Sequence, residues 1–460
     1  MADILAPLRA GKKLRLKEQI LLVTRLSLPA MMAQLSSIIM QYIDASMVGA
    51  LGADDSASIG LITSSTWLFN GLCSAAVIGF SIQVAQQIGA GDRKTARNTM
   101  KLAFIFAGVF SLLMALLGII ISPFLPLWLG GNAKIATGAT HYFLVFALSL
   151  PLVQLNNISS GMLQASGHMK TPSLLHALMC LLDVVFNAFL IFPSGTIFNL
   201  PGANLGILGA SLGTALSQLV IACIVTFLLL TRSPALHLRK GEKICFSKTQ
   251  LRQSIRLALP VAAEQSVSCG AYILFTAIVA PLGNIAIAAN SFAITAESLC
   301  YMPGYGIGAA ATTIIGQSIG AGRKDMTRKL GWLCTALGML VMSVTGVLMY
   351  LAAPFMMRLL SPDADIVMLG AKILRIEAFA EGLYGASIVA LGVFRGAGDT
   401  LLPSIMNFAS MWLVRLPLAA LLASNMGLTG VWIAMALELC VRGALFLARL
   451  STTKWQNNIT

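Results

Sequence analysis

The feature that most constrains this chain is a repeat within it. RLSLPAMMAQ at 25–34 returns as RLALPVAAEQ at 256–265, so that Arg25, Pro29 and Gln34 match Arg256, Pro260 and Gln265, each 231 positions on. At the same offset IGAG at 88–91 returns at 319–322, and Gly161, Gly167, Pro172 and Ser173 return as Gly392, Gly398, Pro403 and Ser404. Shared composition scatters matches, but it does not hold one register across roughly 150 residues. That is the mark of a duplication. The fold must therefore be two copies of one unit in the same direction.

Composition says which solvent the copies meet. Of 460 residues 57% are hydrophobic and 10% are charged, against roughly 25% charged in soluble domains. Leu102 to Ile121 carries no charge at all, and about 20 apolar residues cross a bilayer core. Splitting the apolar runs at polar or Gly/Pro turns gives spans near 20–48, 57–84, 98–122, 138–160, 170–192 and 206–231. The second half gives 255–280, 286–315, 328–352, 366–392, 400–424 and 427–449. The expected fold is an all-α polytopic membrane protein of twelve helices in two pseudo-symmetric six-helix lobes. An even number per copy lets the second enter the membrane with the orientation of the first. The domains read as a leader 1–19, a first lobe 20–231, a linker 232–250, a second lobe 251–449 and a tail 450–460. The leader lacks the short apolar region and cleavage site of a signal peptide.

A net charge of +14 suggests nucleic acid in a soluble protein, but here position decides. Basic residues cluster at Arg9, Lys12, Lys13, Arg15 and Lys17, then Arg93, Lys94 and Arg97, then Arg232, Arg239, Lys240, Lys243 and Lys248, then Arg323, Lys324, Arg328 and Lys329. The groups lie about two spans apart, and the alternate loops hold little beyond Lys134 and Arg358. Both termini are therefore expected in the cytoplasm of a bacterial inner-membrane protein. The expected partners of these loops are anionic lipids, not nucleic acid. Eight dispersed cysteines (Cys73, Cys180, Cys223, Cys245, Cys269, Cys300, Cys334, Cys440) read as inert small core residues.

Ionisable groups inside spans are costly and mark function by default. In the first copy they are Asp44, near the outer end of the first helix, and Asp183, about 13 residues into the fifth, roughly 20 Å from its inner end. Both belong to the outer half of the membrane and can meet in one cavity. Asn187 lies one turn from Asp183 on the same face, Thr214 adds a hydroxyl from GASLGTALSQ, and Gln34, Gln41 and Asn156 offer further polar atoms. Two buried carboxylates are expensive together, so a proton or a cation, including Na⁺ at Asp44 and Asp183, is their natural companion. The second copy carries Glu264, Glu297, Glu377, Glu381, Arg375, Arg415, Glu438 and Arg442 in or near spans. Arg415, Glu438 and Arg442 read as an ion-pair cluster, whereas Glu264 and Glu381 have no cation adjacent in sequence and stand as secondary transport candidates. Met31, Met32, Phe292, Tyr301, Tyr305 and Tyr384 suit bulky amphiphilic ligands. Pro29 and Pro260, inside the first helix of each copy, are candidate hinges.

Several of these segments together resemble the multidrug and toxic compound extrusion (MATE) family: Pro29 with Asp44 and MVGALG, the IGAG loop, QASGHMKTP, FRGAGDTLLP and the twelve-helix duplication. The resemblance implies two six-helix lobes around a V-shaped cavity and export of organic cations in exchange for Na⁺ or H⁺. Its DinF-like branch implies a cation site at Asp44, Asp183, Asn187 and Thr214, with one departure. That branch has Asn then Asp on the fifth helix, and here Asp183 precedes Asn187. The NorM-like branch implies acids in the seventh and tenth helices, from which Glu264 and Glu381 are each about one turn displaced.

The expectation is therefore a monomeric secondary antiporter for drugs and toxic organic cations, with Gln34, Met31, Asn156 and Tyr301 as candidate substrate contacts. It needs no cofactor, and H⁺ or Na⁺ supplies the coupling. No GxxxxGK[ST] loop is present to hold ATP. A flippase for a lipid or lipid-linked sugar is the related alternative, disfavoured because the intramembrane arginines sit near glutamates. His141, His168, His176 and His237 form no HExxH pair, which argues against an enzyme, and a two-lobed monomer supplies no pore-lining ring for a channel. The acids are not duplicated: Asp44 falls opposite Phe275 and Asp183 opposite Val414.

Overall fold

A computed structural model describes residues 4–12, 14–131, 133–193, 202–239, 242 and 244–456. Of the basic residues counted above, Lys13, Lys240 and Lys243 lie outside the described residues, as do the ends of the leader and tail. Apart from the four-residue helices Ala6–Arg9 and Leu125–Trp128, the helices of the first copy are α1 (Leu16–Gly49), α2 (Ala53–Gly89), α3 (Arg93–Ile121), α4 (Ala133–Ala165), α5 (Lys170–Ile191) and α6 (Gly206–Arg232). The second copy runs α7 (Lys248–Val279), α8 (Asn284–Gly320), α9 (Lys324–Leu360), α10 (Ala364–Glu377), α11 (Glu381–Gly396), α12 (Leu401–Ala409) and α13 (Leu416–Ser451). A π-helical turn, Ser410–Arg415, joins the last two.

Ten continuous helical stretches among the described residues are long and apolar enough to cross a membrane. The last, Leu401–Ser451, is 51 residues long, far beyond the roughly 20 that one crossing needs. It is broken at Gly427, whose φ of 56° and ψ of −142° are not helical. Counted as two spans, and with α10 and α11 as one bent span, it brings the total to the expected twelve. The protein is a multi-pass membrane protein with an all-helical fold.

One expected span is not a single rod. The stretch 366–392 divides into α10 and α11, which meet at a 60° bend. No proline or glycine occupies 378–380 to announce it. The fully buried Glu377 and Glu381 flank the bend.

The chain forms two compact units. One comprises Ser36–Ile88 and Asp92–Ala262; the other comprises Met1–Leu35, Gly89–Gly91 and Ala263–Thr460. Thus α1 and α7 each contribute to both units, dividing a short way after Pro29 and Pro260, which lie inside these helices. The core of the first unit packs Val77, Phe80 and Val84 of α2 with Met100 and Ala103 of α3, Ile158 and Met162 of α4, and Val225 and Leu229 of α6. In the second unit an alanine stripe on α8 (Ala289, Ala293, Ala296) packs with Met349 and Ala353 of α9 and Trp432 of α13. Small residues at such seams let membrane helices approach closely. Leu112, Leu113, Leu116 and Ile120 of α3 are exposed, as a lipid-facing surface requires.

The duplication extends to backbone detail. Gly91 and Gly322, 231 residues apart, turn the chain with φ of 81° and 72°, in the left-handed region that favours glycine. The cysteines depart from expectation: Cys73, Cys300 and Cys334 are buried, but Cys223 and Cys245 are exposed. An apolar helix face can point toward lipid as readily as toward the core, which is the case composition does not resolve.

Candidate functional site

Helix α5 buries a stripe of Met179, Asp183, Asn187 and Ile191 at i, i+4 spacing, so the acid and the amide share one face. That face meets α6, where the facing positions are glycine. A Cβ on Gly209 would strike the Leu190 carbonyl at 2.5 Å, and one on Gly213 would overlap the Asn187 amide oxygen. The small residues of GASLGT thus make room for the polar side chains of α5. Asp183 is 0% and Asn187 1% exposed.

The Asn187 amide nitrogen donates to Asp44 Oδ1 at 2.9 Å and to Asp183 Oδ2 at 3.1 Å. Asp44 and Asp183 also interact directly, and Asp183 interacts with Thr214. Ser217 donates to Asp183 Oδ1 at 3.3 Å, and Thr214 Oγ1 donates to the Ala210 carbonyl at 3.1 Å. The four residues expected together, Asp44, Asp183, Asn187 and Thr214, do converge. Ser217 was missed; one turn beyond Gly213 on the same stripe, it was legible only to a reader who followed the glycine spacing. Among the described residues, the buried Asn187 Oδ1 has no hydrogen-bond partner.

The candidate substrate residues do not form one group. Asn156 lies in the unit of the acids, where it donates to Gln218 Oε1 at 3.2 Å. Met31, Gln34 and Tyr301 belong to the other unit. There the ring of Tyr301 packs edge-on against Tyr305 at 5.9 Å and Tyr384 at 5.8 Å, and the Arg442 guanidinium lies 5.3 Å from the Tyr384 ring centroid.

In the second unit the expected ion pairs form. Glu438 accepts from Arg415 at 2.6 Å and pairs with Arg442 at 3.1 Å. Ser410 also donates to Glu438. Ser410 and Arg415 are five apart, and the π turn they bound has i to i+5 periodicity, which brings both to the same acid. Glu264, with no cation adjacent in sequence, acquires one from another helix: Arg395 lies at 3.2 Å. Ser404 and Asn407 donate to Glu264 at 2.7 and 2.6 Å. Glu381 differs. It and Glu377 are 0% exposed, and among the described residues none of their carboxyl oxygens has a hydrogen-bond partner. Glu297 of α8 is near both.

Comparison with known proteins agrees with this architecture. The chain is 28% identical over 441 residues to the Thermotoga maritima protein named "Probable multidrug resistance protein NorM", covering 94% of this chain and 92% of that one. It is also 28% identical to the protein of the same name from Pseudomonas syringae pv. tomato, covering 92% of each. Among solved structures, a MOP superfamily transporter from Pyrococcus furiosus superimposes with a TM-score of 0.89 at 20% identity over 99% of both chains. The Vibrio cholerae MATE transporter VcmN does so with a TM-score of 0.87 at 18% identity, covering 96% of this chain and 98% of that one. The MatE family model matches twice, at residues 29–189 and 260–421, once per copy. With well over half its length matched in this way, the chain belongs to the MatE family.

Proposed function

We propose that this protein is an antiporter of the bacterial inner membrane, with both termini cytoplasmic, that exports amphiphilic and often cationic drugs and toxic compounds in exchange for an ion. The observation that carries the reading is the Asn187 amide nitrogen held between the carboxyls of Asp44 and Asp183. These groups come from two helices, so loading and unloading an ion changes how strongly α1 and α5 attract one another. Relatives named for multidrug resistance support the substrate class.

The orientation of Asn187 bears on the ion. Its NH₂ group faces the acids, where it does the work of a small cation, while its oxygen lies against Gly213. A sodium ion needs oxygen ligands, which the carboxyls of Asp44 and Asp183 offer, and Asn187 would join them only if its amide turned over. A proton needs no such change, and proton coupling is the reading favoured. Asp44, Asp183 and Asn187 would hold the ion, with Thr214 and Ser217 fixing Asp183. The protein works as a monomer among membrane lipids without a cofactor.

In the second unit Glu264 is neutralised by Arg395 and reads as an anchor, whereas the unpartnered Glu381 remains a secondary ion candidate. Efflux of a cationic dye from proteoliposomes, with Na⁺ and pH gradients imposed independently, tests the proposal. Asp44→Asn should abolish efflux while leaving folded protein in the membrane. Efflux indifferent to both gradients, or a fully active Asp44→Asn variant, refutes it.

A further inference from the structure

The proton reading leaves an intramembrane base of α5 unused. His176 of α5 is half-buried and its Nε2 lies 2.5 Å from the hydroxyl of Ser37 on α1. His176 precedes Asp183 by seven residues, and Ser37 precedes Asp44 by seven. Seven residues are two helical turns, so each pair shares a helix face at a spacing of about 10.5 Å. Both cross-helix steps have the same sequence offset, which two parallel helices in register require. The α1/α5 seam therefore carries two polar levels: the acids with Asn187, and Ser37 with His176 on the side of Lys170, where α5 begins. Lys170 is about 9 Å below His176.

Resting on the proton-antiport reading, we propose that Ser37 and His176 form a proton relay that carries the coupling proton from the Asp44/Asp183 level to the Lys170 end of α5. The carboxyl O–H bond breaks and leaves a carboxylate. The proton passes through intervening water to the Ser37 hydroxyl, whose own proton moves to Nε2, making an imidazolium. Nδ1–H then gives its proton to water at the Lys170 end, and the ring is again neutral. No electron changes hands, and water is the only added participant.

The surroundings suit this role. The titratable groups on α5 nearest His176 are Cys180, Lys170 and Asp183. From α1 the candidate is Asp44; α4 contributes Tyr142, which feels both acids; and α6 offers no acid or base before Cys223. By helix rise the acids lie about 10.5 Å and Lys170 about 9 Å along the axis from the imidazole. The second copy provides a contrast. At the position matching His176 it has Asn407, which donates to the Arg395-paired Glu264 at 2.6 Å, and an amide cannot relay a proton in this way.

The test uses full-length protein in proteoliposomes with a lumenal pH dye and ethidium as the transported cation. His176→Gln should bind ethidium within about twofold of the parent but lose at least tenfold in pH-driven efflux. His176→Ala should regain efflux when free imidazole is added, which a packing role does not predict. Ser37→Ala should fall between. Parental rate and pH profile in His176→Gln, or no rescue of His176→Ala by imidazole, overturns the relay. If Asp44→Asn is inactive while His176→Gln is normal, the relay alone fails. If neither parent nor variants respond to a pH gradient, the proton reading fails and the relay with it.

Discussion

Gly213→Ala adds one methyl group and tests how the acid site is built. The new Cβ would overlap Asn187 Oδ1 and approach the Asn187 backbone nitrogen and Cγ to 3.0 Å each. Either α6 moves away from α5 or the Asn187 side chain leaves. Overpacking of this kind costs about 1–3 kcal/mol. Expelling the amide also removes its bonds to Asp44 and Asp183, and hydrogen bonds to charged groups contribute about 1.5–3 kcal/mol each. Taking the lower figure for both gives about 3 kcal/mol lost from the ion-free site, roughly a hundredfold in its equilibrium. Ion-driven dye efflux should therefore fall by at least tenfold, and the melting temperature in detergent should drop. Gly108→Ala is the control, because a Cβ there meets nothing within 4 Å and alanine favours a helix by roughly 0.5–1 kcal/mol over glycine. In an Asn187→Ala background the side-chain collision disappears and only the 3.0 Å approach to the backbone nitrogen remains, so Gly213→Ala should cost less further stability than in the parent. Wild-type efflux and melting temperature in the single Gly213→Ala variant would refute the reasoning.

Other perturbations probe the remaining structure. Glu438→Gln strips a buried acid from two arginines, Arg415 and Arg442, and should destabilise the protein by about 3–5 kcal/mol, read as a lowered melting temperature. Gly91→Ala and Gly322→Ala each force a left-handed backbone on alanine and should cost about 1–2 kcal/mol apiece, measured by thermal unfolding. Between α6 and α7, Glu242 accepts hydrogen bonds from the Arg97 guanidinium of α3, which holds its carboxyl below the usual carboxylate range. Because the folded value is depressed, the clasp contributes stability above the ordinary carboxylate value, and that contribution is lost as pH falls through the folded value. Hydrogen exchange around 244–250 should rise on acidification, and Glu242→Gln should show the raised rate already at neutral pH; an acid-insensitive rate would remove the clasp from the account.

The architecture was legible because it is written in periodic features. A fixed offset and apolar run length determine copy number, span number and direction, and lipid reads only those coarse properties. The convergence of Asp44 with Asp183 was also within reach, since helix rise alone puts both in the outer half of the membrane. Glu264 was not: its cation, Arg395, is 131 residues away, and no local spacing reports such a pair. The bend between Glu377 and Glu381 has no proline or glycine to mark it, and no local signal reports it.

What the sequence determined alone was the membrane fold, its duplication and the short roster of intramembrane acids, because apolar length and the cost of charge in lipid act locally along the chain. Only the tertiary structure decided which acids are bridged, which are neutralised and which stand unpartnered, because those outcomes depend on the helix each face meets.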